Sequence, residues 1–157
     1  MARGSRLQQR LLMRLIIGTT LALALGAGAE ARRGGPSPMS GLQDNGDTID
    51  VSDNHGGSVA QYDSMWSTLA ENGKKVRVVG SCQSACTTLL GHVPRDRICV
   101  TPEAAFGFHR AHKQYGTEVM WDGYPADIKA WIKSQGGLTA EFKWMRAPDT
   151  YRFFKHC

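Results

Sequence analysis

The sequence predicts an α/β fold, and three observations carry that expectation. A β-branched run, Val76 to Val79, ends at Gly80 and turns through small residues into an apolar helix pattern after Ser84. Thr48 to Ser52 alternates polar and apolar positions, and an amphipathic helix pattern separates it from Val76. Strand, helix and strand over about 30 residues make a βαβ unit, for which a right-handed crossover is expected. A further strand pair, Ile98 to Val100 and Ala104 to Phe108, precedes the helical pattern that opens at Pro125. At 157 residues the chain holds at most one domain.

The amino terminus reads as a leader rather than as part of that domain. Arg3, Arg6, Arg10 and Arg14 precede an uncharged run from Leu15 to Ala29. Ala27-Gly28-Ala29 and Ala29-Glu30-Ala31 both fit a signal-peptidase site, so residues 1–31 are expected to be a signal peptide and the protein periplasmic or secreted. The apolar run is shorter than the roughly 20 residues a spanning helix needs, so membrane contact would come only through an uncleaved leader. The net charge of +5 belongs mostly to this leader: beyond it stand 15 of the 19 basic and 13 of the 14 acidic residues, a balance of +2. No basic stripe with interleaved aromatics follows, which argues against nucleic acid as a partner. No cofactor signature is present.

Four cysteines, Cys82, Cys86, Cys99 and Cys157, lie beyond the leader. In an exported protein an even count suggests two disulfides, and the sequence leaves three connectivities open. The cysteines could instead be free buried thiols, or Cys82 and Cys86 half a metal site. His92, His109 and His112 supply no paired ligand spacing, so no metal is expected.

In chain order, Arg32 to Asn45 holds Gly, Pro and Ser without period and reads as a flexible segment, with the domain proper at 46–157. Asp53 to Gly57 is a turn with two glycines, where backbone can approach a ligand closely. Ser58 then opens a helix, with Gln61 at capping-box spacing. Val59, Tyr62, Trp66 and Leu69 form its apolar face, and Gly73 ends it. After the strand at Val76, the helix following Ser84 stops near Gly91. Arg110 to Gly123 is polar and reads as a loop that could cover a site, with Trp121 as a substrate contact. Pro125 suits the first position of a helix carrying Ile128, Trp131 and Ile132 on one face. Thr139 opens a short helix through Phe142 and Met145, ended by Pro148, and Asp149 to Cys157 is a last amphipathic piece.

Ser84 is the residue around which chemistry can be built. A serine at a strand-to-helix turn has an exposed hydroxyl near unpaired amide N–H groups, which can stabilise an oxyanion. The G-x-S-x-G elbow is not matched: the chain has Gly80-x-x-x-Ser84-Ala85-Cys86. As a bland alternative, Ser84 simply caps the helix that follows.

Gly56-Gly57-Ser58-Val59, Gly80-x-x-x-Ser84-Ala85 and Pro102-x-x-x-x-Gly107-Phe108-His109 together resemble the proteolytic subunit of the Clp protease, within the Clp/crotonase superfamily. The likeness is nearest to small exported bacterial Clp-like proteins and covers roughly residues 47–110. It implies a ClpP/crotonase-like spiral of ββα units, here truncated after Asp149. It implies Ser84 as nucleophile, His109 as general base, and the amides of Gly57 and Ala85 as oxyanion hole. Asp149 is the implied third member, with Asp122 and Asp127 as competitors and His112 as a reserve base.

The expectation is thus an exported serine hydrolase acting on peptide or protein substrates, with homo-oligomers an open alternative to a monomer. A second reading is a Clp-like binding or scaffold protein without activity. A His109 that lacks a carboxylate partner would favour it. Acyl-CoA chemistry, as in crotonases, is a third reading, and export argues against it.

Overall fold

The computed structural model describes residues 38–157. The expected signal peptide at 1–31 lies outside the described residues. Among them, no helix is long and apolar enough to cross a membrane.

Three parallel strands form the floor of the molecule. They are β2 (Thr48–Val51), β3 (Lys75–Val78) and β5 (Ile98–Val100). Their register aligns Ile49, Val76 and Ile98 in one row and Val51, Val78 and Val100 in the next. All six side chains are buried, while Lys75 and Arg77 point the other way and are exposed. The sheet therefore buries one face. Along β3, charged and apolar residues alternate with a period of two. β1 (Leu42–Asp44) pairs antiparallel with β2, and β8 (Lys155–His156) pairs parallel with β5, giving the order β1-β2-β3-β5-β8. Regular structure thus begins inside the segment 32–45 that was expected to be flexible. Leu42 opposite Val51 is the reason, since it extends the sheet by one apolar pair.

A second sheet has the order β4-β6-β7, from β4 (Ser81–Gln83), β6 (Ala105–Phe108) and β7 (Lys143–Met145). All of β6 is buried. Asn54 adds a parallel bridge to Cys82, on the far side of β4 from β6. Successive stretches therefore lay one segment in the first sheet, one in the second, and then a helix. These helices are α1 (Val59–Glu71), α2 (Leu89–His92) and α3 (Gln114–Gly123). α4 (Ala126–Ser134) follows, with Pro125 just before its first residue.

Three expectations are corrected here. Arg110 to Gly123 is not a loop throughout, because α3 occupies most of it. Its buried stripe is narrow, Gly116 and Met120, and a glycine in such a stripe hides the period. Thr139 to Met145 is not a helix. Ala140, Phe142 and Trp144 alternate with Glu141 and Lys143, and β7 lies antiparallel to β6 with Trp144 opposite Gly107. The Ser58–Gln61 capping box does not form: Ser58 occupies the cap position, but its side chain makes no cap hydrogen bond.

The disulfides pair Cys82 with Cys86 and Cys99 with Cys157. The second ties β5 to Cys157, the residue that follows the edge strand β8.

Candidate active site

Parallel pairing sets the site. β4 and β6 run in register, with Gln83 opposite Gly107. Ser84 and His109 are the residues one and two places beyond that pair, so they emerge together at the carboxyl end of the second sheet. Ser84 Oγ and His109 Nε2 are hydrogen-bonded at 2.7 Å. The Ser84 backbone has φ +53°, a left-handed conformation that non-glycine residues adopt rarely and that costs about 1–3 kcal/mol. It begins a 3₁₀ helix, Ser84–Thr88, rather than sitting as a relaxed helix cap.

Three features hold that backbone in place. The Cys82–Cys86 disulfide brackets Ser84, and both cysteines are fully buried. Behind Ser84, Thr87 Oγ1 donates to the Ser84 carbonyl at 2.6 Å. That uses the one hydroxyl proton of Thr87, so the Tyr124 hydroxyl donates to Thr87 Oγ1, also at 2.6 Å. Tyr124 is buried, and burial pushes its hydroxyl far above the ordinary phenol range, so it stays protonated. Third, Gly56 packs against the turn with φ +77°. A Cβ there would lie 2.6 Å from the Gln83 carbonyl oxygen and 3.0 Å from the Ala85 nitrogen.

Asn54 anchors the glycine turn, and sequence reasoning missed it. Its carboxamide is fully buried and accepts from the Gly56 amide at 3.0 Å and the Tyr62 hydroxyl at 2.7 Å. Its Nδ2 donates to the Ser40 carbonyl at 2.6 Å. A lone Asn in a glycine-rich turn reads as turn chemistry, and only the fold reveals these partners.

His109 is half-buried and stacks on Phe142, ring centroids 4.2 Å apart. Gly107 makes room for that tier, since a Cβ on it would sit 3.0 Å from both the Phe142 and Trp144 rings. Burial and the neighbouring charge of His112 push the His109 imidazole below its ordinary value, while a hydrogen bond to the Ala140 backbone opposes them. A bond that favours the charged ring is one the imidazole donates, so the Ala140 carbonyl accepts it. With Nε2 facing Ser84, a proton on Nδ1 would leave Nε2 as the bare acceptor, the tautomer a base for Ser84 needs.

Asp149 is placed elsewhere. Its carboxylate accepts from Trp131 Nε1 at 3.1 Å and from Arg152 at 3.4 Å. Asp127 pairs with Arg95. Among the described residues, no carboxylate is hydrogen-bonded to His109, and the Ala140 backbone lies on its other side from Ser84. The backbone makes this possible, because the Arg110 amide donates to the Thr139 carbonyl at 2.7 Å and holds the two segments side by side. The signal for it was the period of two at 140–144.

Two cavities meet at the pair. One of about 280 Å³ is lined by Ser84, Gly57, Val59, Ala111, Lys113 and Tyr115, among others. The other, of about 610 Å³, touches His109, Arg110, His112 and Ala140. Trp121 lines neither. Lys129 and Lys133 lie over its ring at 5.8 and 5.7 Å, and Tyr115, 70 % exposed, takes the place at the site that was expected for it. Among the described residues, no group of His, Cys, Asp and Glu could hold a metal ion.

No family model matches the chain, and no curated protein does. Among solved structures it is similar to a mutant of ClpP1 from Listeria monocytogenes. The identity is 13%, over 69% of this chain and 71% of that one, at a TM-score of 0.42.

Proposed function

We propose that this protein is an exported serine hydrolase acting on peptide bonds, with a Ser84–His109 pair completed by the Ala140 carbonyl. The observation that carries the reading is the hydroxyl of a serine in a left-handed conformation hydrogen-bonded to a half-buried imidazole. Strained backbone of that kind collects at functional sites. The alternation of the two sheets with α1, α2 and α3 supports the expected spiral of ββα units. Two disulfides support an oxidising compartment.

In this mechanism His109 Nε2 takes the Ser84 proton as Oγ attacks the substrate carbonyl. The amides of Gly57 and Ala85 receive the developing oxyanion. His109 then returns the proton to the leaving amine, and water attacks the acyl-enzyme by the reverse route. The Ala140 carbonyl holds the ring in the right tautomer. It carries no full charge, so it stabilises imidazolium less than a carboxylate would.

The binding-protein reading rests on that same point, since among the described residues His109 has no carboxylate partner. Labelling with a fluorophosphonate separates the two. Folded, oxidised wild type is expected to label, and Ser84→Ala and His109→Ala to lose labelling while keeping the same circular dichroism. Unlabelled wild type would move the assignment to a binding protein.

A further inference from the structure

The chain leaving His109 runs Arg110-Ala111-His112-Lys113, and its residues line both cavities beside Ser84. Arg110, His112 and Lys113 are exposed at the cavity edges. Among the described residues, no Asp or Glu lines either cavity. Among the described residues, none of the three forms an ion pair, whereas Lys74, Arg77 and Arg95 each hold a carboxylate. Glu141 is the carboxylate in electrostatic reach of Arg110, and it is exposed and shared with Lys143. The site edge is therefore concave and carries an excess of cationic side chains, with the Glu141 carboxylate near Arg110. Such a cleft raises the local concentration of anions, and the planar guanidinium of an arginine fits a carboxylate with two parallel bonds.

We propose that this edge selects substrates that carry a carboxylate close to the reacting carbonyl, as an acidic side chain or as a free C-terminus. The inference rests on the hydrolase reading above and names the substrate class of that site. Val59, Ala60 and Tyr115 supply the apolar wall of the smaller cavity and contact the rest of the substrate chain.

The test is binding, so that it does not depend on turnover. Ser84→Ala protein is titrated with four hexapeptides bearing a neutral fluorophore, followed by anisotropy. They carry an internal Glu or Gln among alanines, each with a free or an amidated C-terminus. The Glu peptide with a free C-terminus is expected to bind about fivefold or more tightly than the amidated Gln peptide, with the preference fading as salt rises. The two single-carboxylate peptides show which carboxylate is read. Lys113→Glu and Arg110→Glu, introduced singly into the Ser84→Ala protein, are expected to remove or invert the preference. Equal affinity for all four peptides, or a preference untouched by both reversals, overturns the proposal. Fluorophosphonate labelling reports separately on the hydrolase reading, because that probe is uncharged.

Discussion

Ser84 Oγ sits 2.7 Å from a base whose protonation the surroundings discourage. Burial contributes most, and His112 adds like-charge repulsion. In the proposed mechanism the reactive form of His109 is neutral, so activity would be lost as pH falls through its lowered pKa. The acid limb of kcat/KM is therefore expected to have its midpoint below pH 6.5, the ordinary histidine value. His112→Gln removes the repulsion but not the burial, so the midpoint should move to higher pH. A pH–rate profile of both proteins checks the direction. At Asp149 a carboxylate that orients His109 and one that only holds Trp131 make opposite forecasts. Asp149→Ala is expected to cost about 1 kcal/mol of stability through the lost Trp131 bond. It should leave the labelling rate of Ser84 and its pH midpoint unchanged. A labelling rate reduced a hundredfold in that variant would restore Asp149 to the site.

At the scale of elements, a short strand, a disulfide and a 3₁₀ turn work together. β4 delivers Ser84 in register with β6, and Cys82–Cys86 closes the turn around it. So small a loop gives a modest entropic gain, about 2 kcal/mol. The Cys82→Ala/Cys86→Ala double variant is therefore expected to fold with that much less stability in urea melts. Its labelling should fall further than the stability loss explains, since the left-handed Ser84 backbone would relax. Equal labelling of both proteins would leave the disulfide a staple only. α3 serves the same turn from behind, because Tyr124 caps its end and the Tyr124 hydroxyl reaches Ser84 through Thr87.

Across the whole molecule, the first sheet is clamped at its far edge by Cys99–Cys157, which joins residues 58 apart. A loop of that length contributes about 4 kcal/mol in the chain-entropy model. Cys99→Ala/Cys157→Ala is expected to lose roughly that amount by denaturant titration, twice the loss at Cys82–Cys86. Because the clamp is remote from Ser84, labelling of the folded fraction should persist. The same long-range geometry decides the surface around the site. Arg110 and Lys113 follow His109 in sequence, while the Ala140 carbonyl and Leu138 come from beyond α4.

The sequence by itself determined the α/β class, the β2–α1–β3 unit, the strands at Ile98 and Ala105, and the interest of Ser84 and His109. Those features are local: β-branched runs, a helical period at Val59 to Leu69 and small residues at a turn carry their signals within a few positions. Tertiary structure decided what depends on distant segments meeting. The disulfide pairing, the buried carboxamide of Asn54 and the Tyr124–Thr87–Ser84 chain of hydroxyls are of this kind. So is the carbonyl of Ala140, because every residue has one and no side chain announces which will be used. Asp149 looked apt by its place in the chain, yet its carboxylate is taken by Trp131. A carboxylate serves the partner within hydrogen-bonding reach, and reach is set by packing rather than by spacing along the sequence.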